Sequence, residues 1–164
     1  RFDDAARTLY ALYSGAALQF ARRVVPMSIP WFNRGMGEHL GSVEIGRTAL
    51  QPKRREEFTP RLRTALGRTQ EFAAKRLRPR DFMLMSHSRF YDAQASDRSI
   101  LAWGWIDFLM STTGRARAET PWAEYLKAIR EGTTLKSAYE RTFGKVDMDA
   151  LETAWLDYLR GIAR

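Results

Sequence analysis

Two histidines, His39 and His87, are the only imidazoles in the chain, and each stands beside groups that can share its protons. His39 follows Glu38 in "RGMGEHLG". A Glu-His pair is the raw material of a general base or a metal site. Adjacent residues on a helix point about 100° apart, so the two do not readily converge on one atom. The simpler reading is local: Glu38 bonded within its own helix, His39 packed or at the surface. His87 lies in "SHSRF" beside Ser86 and Ser88, with Asp81 and Asp92 near in sequence. A Ser-His-Asp triad depends on convergence that spacing cannot show, and no nucleophile-elbow pattern accompanies these residues. A turn histidine is the simpler reading there as well.

Zinc chemistry on a single helix needs two His four residues apart. The positions four away from His39 and His87 are Gly35, Val43, Met83 and Tyr91, so no register supplies the pair. There is no cysteine, which removes disulfides, thiol nucleophiles and thiolate ligands. What remains is charge. Lys and Arg outnumber Asp and Glu by 27 to 19, a net charge of +8 that favours acidic partners, although an Arg-rich bias can also follow genome composition. The cations cluster at Lys53, Arg54 and Arg55 and again at Lys75, Arg76, Arg78 and Arg80. Such clusters fit phosphates, lipid headgroups or an acidic protein face, or simply a solvated surface. No recognition-helix or RNA-binding motif accompanies them, which disfavours nucleic acid.

The elements that would carry these residues read as helices. Residues 3–25 place Leu9, Leu12, Tyr13, Ala16, Ala17 and Phe20 at helical spacing, with Asp3 or Asp4 as cap and Pro26 just beyond. Pro30 opens a second helix through Leu40. Residues 41–58 are irregular, with room for a short extended piece and an exposed basic turn. Thr59 and Pro60 start a third helix, with a stripe of Leu62, Ala65, Leu66, Thr69, Phe72 and Ala73. "PRDFMLMS" reads as a short helix and "HSRFYDAQAS" as a loop. Residues 97–112 are apolar nearly all round, as a central helix requires.

Thr120-Pro121 predicts the next start and Gly132 its end. Thr133 or Thr134 opens a further helix that closes at Gly144. Asp147 caps a last amphipathic helix through Leu151, Trp155, Leu159 and Ile162. The tryptophans at 31, 103, 105, 122 and 155 fall on the apolar faces, as core residues do. No repeat or low-complexity tract appears. No apolar run reaches the ~18–20 residues of a membrane span, and no signal segment opens the chain. The expectation is a mature or truncated product, soluble or peripheral.

"PWFNRGMGEHLGSV" resembles the "P-W-l-x-E-G-l-A-E-y" segment of gluzincin metallopeptidases of the peptidase-MA-like type. In that family a helix bearing HExxH lies just upstream, and the first Glu of the "EG" step is the third zinc ligand. Matching Trp31 and Gly35 puts Arg34 at that ligand position. The family's aminopeptidase-type spacing, eighteen residues between second His and Glu, is met by residues 16–33 and places HExxH on "ALYSG". Ala11 then stands for the first His, Leu12 for the general base and Gly15 for the second His. A guanidinium is not a zinc ligand and repels a divalent cation, so Arg34 is expected to pair with Glu38 and help fill the vacated space. "SHSRFYDAQASDRSILAWGWIDFLM" and "SAYERTFGKVDMDALETAWLDYL" are similar to later helices of the family. The resemblance spans most of the chain and is thinnest at residues 43–80.

The resemblance implies an all-α, multi-helix domain of about seven helices, like the C-terminal helical part of a thermolysin-like or gluzincin fold. Residues 1–164 form one domain: a former active-site helix pair over 1–42, an irregular basic turn over 43–58 and a helical bundle over 59–164. It implies a non-catalytic domain with no metal or cofactor. The family's mixed sheet precedes its HExxH helix, whereas this sequence starts at the helix. Another protein subunit is therefore expected to cover the first-helix face. The alternatives are a basic module docking on an anionic membrane or acidic protein surface, and an enzyme of unrecognised chemistry. The compartment stays open, with an extracytoplasmic or membrane-peripheral place slightly favoured by the resemblance.

Overall fold

The computed structural model describes residues 2–24, 29–45, 50–52, 58–71, 78–93 and 95–164. The chain is an all-α domain of nine α-helices among those residues, where the sequence suggested about seven. They are α1 (Phe2–Val24), α2 (Pro30–Gly41), α3 (Phe58–Glu71), α4 (Pro79–Met83), α5 (His87–Phe90), α6 (Ala95–Met110), α7 (Thr112–Arg130), α8 (Leu135–Arg141) and α9 (Met148–Ala163). A 3-10 turn at Phe143–Lys145 joins the last two. The extended piece in the irregular region is a small antiparallel ribbon that pairs Val43–Ile45 with Leu50–Pro52, Glu44 opposite Gln51.

Helix starts follow from side-chain caps. Ser111 Oγ accepts from the Gly114 amide at 3.1 Å, Thr134 Oγ1 from Ser137 at 3.3 Å and Asp147 Oδ1 from Ala150 at 3.0 Å. Pro30 takes the first position of α2, where its missing N–H has no intrahelical partner to lose. Three boundaries differ from the sequence expectation. α7 begins at Thr112 rather than Thr120, because the Ser111 cap nucleates it a residue after α6 ends, and Pro121 is carried inside the helix. There Pro121 gives no hydrogen bond to the carbonyl four residues back, and its ring crowds that carbonyl. The stretch expected as a loop after Met85 contains α5, started by Ser86 accepting from Arg89 at 3.4 Å. α3 starts at Phe58, whose ring is buried, so Thr59 is not its cap.

α6 is the axis of the core. Leu101, Trp103, Trp105, Ile106 and Phe108 are all buried, as the apolar run required, because α2, α3, α7 and α9 pack around it. Trp103 meets Phe58 of α3 edge-on at 4.6 Å, and Trp105 meets Trp155 of α9 edge-on at 5.7 Å. Both spacings suit the ring quadrupoles. Against α2 the approach is closest at Gly35. A Cβ there would lie 2.6 Å from the Ala102 carbonyl oxygen and 2.7 Å from Ile106 Cγ1, so only glycine lets the two backbones come this near. That contact fixes where the "PWFNRGMGEHLG" helix sits.

Candidate functional site

Four of the sequence-derived positions lie on α1 and α2, which pack together. The seam runs through Ser14, whose Oγ donates to the Gly37 carbonyl at 2.9 Å, and through Leu18, 3.5 Å from where a Gly37 Cβ would stand. Ala11 and Leu12 are exposed, Leu12 by 63%. Gly15 is half-buried, with nothing within 4 Å of the place its Cβ would occupy. Arg34 is 44% exposed and its guanidinium pairs with Glu38, whose side chain is only 4% exposed. The i,i+4 pair expected from the spacing is therefore present, and it neutralises a carboxylate that α2 buries.

On the opposite side, α1 turns large apolar side chains outward. Leu9 is 50% exposed and Phe20 64%, and Ala16 between them is exposed too. These residues share the stripe with Leu12 that the helical spacing picked out. The periodicity showed that a stripe exists; it could not show that nothing in the described chain covers it.

α2 is anchored from behind by aromatic rings. Trp31 lies 6.0 Å from Phe32, 5.7 Å from Trp122 and 6.2 Å from Tyr125, ring centre to ring centre. Burial pushes the Tyr125 hydroxyl well above the usual phenol range, and the neighbouring Trp31 side chain offsets only part of this. From the same helix His39 points into the fold. Its Nδ1 lies 3.2 Å from Asp107 Oδ1 of α6, and Asp107 Oδ2 accepts from the Tyr158 hydroxyl of α9 at 2.6 Å. Ser42 Oγ donates to the His39 carbonyl at 2.7 Å. His39 is thus a packed residue, one of the two roles its sequence context allowed. Asp107 was missed as its partner, and Tyr158 as the partner of Asp107. The available signal was a carboxylate within the apolar run that ends α6, which needs polar company wherever it is buried.

The second histidine is placed differently. His87 is exposed, its ring 4.6 Å from that of Tyr91. Ser86 is occupied as the α5 cap, Asp92 pairs with buried Arg98, and Asp81 accepts from the Arg78 amide at 3.1 Å. The residues of a possible triad are spent on local structure. Arg98 also donates to the Arg89 carbonyl, closing the end of α5 with a cation.

Of the basic clusters, Lys53, Arg54, Arg55, Lys75 and Arg76 lie outside the described residues. Arg78 and Arg80 border an open groove of about 540 Å³ with Tyr139, Asp149 and Glu152. Arg78 NH1 is 3.5 Å from Asp149 and its Nε 3.8 Å from Glu152. The Arg80 guanidinium lies 5.9 Å from the Tyr139 ring centre. Both described cations of the cluster thus have partners within the chain.

Among the described residues, no three His, Asp or Glu side chains gather as a metal ion would require. No protein-family model, curated protein or solved structure matches this chain. No helix among those residues is long and apolar enough to cross a membrane. What the described residues present on this side is an exposed apolar face of α1 beside a helix held in place by Gly35 and Trp31.

Proposed function

We propose that this chain is a non-catalytic, gluzincin-like helical domain that serves as a structural or interaction subunit of a larger protein assembly. The observation that carries the proposal is the outer face of α1. Leu9, Leu12, Ala16 and Phe20 are exposed, and Leu18, on the far side of the same helix, meets α2. Exposed apolar residues scattered singly are ordinary, but four at helical spacing along one helix form a contiguous patch of the kind that marks a contact surface. The non-catalytic part of the reading is supported by Ala11, Leu12, Gly15 and Arg34, which offer no zinc ligand at the positions the resemblance assigns. Docking of a basic face on an anionic surface is the weaker reading, because Arg78 and Arg80 already face groups of this chain.

The test is the size of the native particle. The chain isolated from its source is expected in a complex larger than a single chain, and Leu12→Glu with Phe20→Glu is expected to release it. A native chain that runs alone overturns the subunit reading. Stoichiometric zinc in the purified chain, or zinc-dependent peptide hydrolysis, overturns the non-catalytic one.

A further inference from the structure

The two sides of α2 are built differently. Toward α6, a Cβ at Gly35 would lie 2.6 Å from the Ala102 carbonyl oxygen, so backbone meets backbone there. Toward α1, a Cβ at Gly37 would meet only the side chain of Leu18, at 3.5–3.9 Å, an ordinary van der Waals distance. Gly15, one residue on from Ser14 in the same seam, has nothing within 4 Å of its Cβ position. The hydrogen bond across the seam among these residues is the one from Ser14 Oγ to the Gly37 carbonyl, at 2.9 Å. Ser14, Gly15 and Leu18 are each only half-buried.

Asn33 lies beneath this seam. At about 100° per residue it falls about 40° from Gly37 and about 160° from Gly35 around α2, hence on the α1 side. Its side chain is buried, 4% exposed, and its amide oxygen has no hydrogen-bond partner in the chain. A buried acceptor without a partner favours any state in which water reaches it.

We infer that α1 is a lid: it lifts off α2 as a unit while α2 to α9 stay folded, and Asn33 biases it toward opening. This holds whatever covers the outer face of α1. Opening costs the Ser14 hydrogen bond and the Leu18 contact, and it gives water to the Asn33 amide and the Gly37 carbonyl. The Gly35 contact with α6 and the rings of Trp122 and Tyr125 around Trp31 are left intact, because they lie on the other side of α2. Sub-global opening of this kind exposes a surface without unfolding the domain. Here the surface is a strip of α2 that offers the Asn33 amide and the Gly37 carbonyl side by side, both hidden when α1 is closed.

Hydrogen exchange of the purified full chain, read by mass spectrometry in increasing subdenaturing urea, tests the lid. Peptides spanning residues 9–20 are expected to exchange about tenfold faster, or more, than those of α6 and α9, through an opening that depends less steeply on urea. Ser14→Ala should hasten their exchange. Asn33→Leu, which puts an apolar group of similar size in place of the amide, should slow it severalfold.

Because the chain has no cysteine, Leu18→Cys with Gly37→Cys sets one disulfide across the seam, at a spacing the bond can bridge. Oxidation should slow the exchange of residues 9–20 to near that of α6, and reduction should release it. Peptides of α1 that exchange at the same rate and with the same urea dependence as α6 overturn the lid. Fast exchange that the disulfide does not slow arises within the helix rather than from its lifting, and overturns it as well. An Asn33→Leu chain whose α1 exchanges as fast as the native one, or faster, overturns the part assigned to Asn33.

Discussion

The hydroxyl of Tyr158 donates to Asp107 Oδ2 at 2.6 Å, tying α9 to α6, while the other oxygen of the same carboxylate faces His39 of α2 at 3.2 Å. One carboxylate, 13% exposed, thus holds three helices to a common point inside an otherwise apolar core. A hydrogen bond to a charged group in such a place contributes about 1.5–3 kcal/mol. Tyr158→Phe is expected to lower the unfolding free energy by about 1–2 kcal/mol, and Asp107→Ala by about 2–3 kcal/mol, in urea titrations. The double variant should cost about 1 kcal/mol less than the sum, because the two groups share one interaction. Strict additivity would show that the contact carries no energy of its own.

The Arg34–Glu38 pair is of a different kind, with one partner half in solvent and the other buried. Arg34→Ala leaves Glu38 with one neutralising group fewer. Discounted for the exposure of Arg34, the loss should be about 1 kcal/mol. Raising the salt concentration should shrink the difference between native chain and variant. A loss that salt does not change would point to packing of the Arg34 stem instead.

Glycines on the two sides of the α1–α2 pair should respond in opposite directions. Gly35→Ala would set a Cβ 2.6 Å from the Ala102 carbonyl, which is backbone and cannot swing aside. Pushing α2 off α6 is expected to cost about 1–3 kcal/mol. Gly15→Ala meets nothing within 4 Å and replaces a helical glycine, so it should stabilise by about 0.5–1 kcal/mol. Thermal melts of the two variants check both signs at once.

Much of this arrangement was legible in the sequence, for physical reasons that differ by element. α9 and α2 announced themselves because Asp147 and Pro30 are local signals acting within one turn. α6 was recognisable because a helix apolar all round must be enclosed. The start of α7 was misplaced because Thr120-Pro121 is also a local start signal, and the Ser111 cap further upstream prevailed over it. The contacts of Asp107 with His39 and with Tyr158 join residues 68 and 51 positions apart, and no periodicity carries that information. The uncovered α1 stripe was visible as a stripe only; a helical spacing pattern says which residues share a face, never whether that face has a neighbour.

The gluzincin-like reading makes a constructive prediction. If Ala11, Leu12, Gly15 and Arg34 stand at the zinc-site positions, then Ala11→His, Leu12→Glu, Gly15→His and Arg34→Glu together rebuild the ligand set. The absence of atoms near the Gly15 Cβ position leaves space for the second imidazole. The fourfold variant should bind zinc near one equivalent by calorimetry, and the native chain should not. The variant that restores only Arg34→Glu should not either, since a lone carboxylate lacks the other two ligands. Failure of the fourfold variant to take up zinc while remaining folded would remove the gluzincin part of the proposal and leave the α1 docking face untouched.

Alkaline pH offers a separate handle on the aromatic anchor behind α2. Burial raises the Tyr125 hydroxyl far above its ordinary value of 10.0, and the neighbouring Trp31 side chain offsets only part of this. Tyr139 is shifted up in the same sense, first by burial, with Arg80 holding it down and Asp81 pushing it up. A phenol whose folded value is raised keeps its proton in the native chain after the unfolded chain has lost its own. Its contribution is therefore intact below about pH 10 and declines as pH rises above that, until the folded group also ionises. The melting temperature should fall as pH is raised beyond 10. Tyr125→Phe, which cannot ionise, should start from a similar stability at pH 8, because the ring and its packing remain, and should lose less of it by pH 11. An equal alkaline slope in the two proteins would show that Tyr125 ionises as readily in the folded chain as in the unfolded one, and that the contact with Trp31 is open to water.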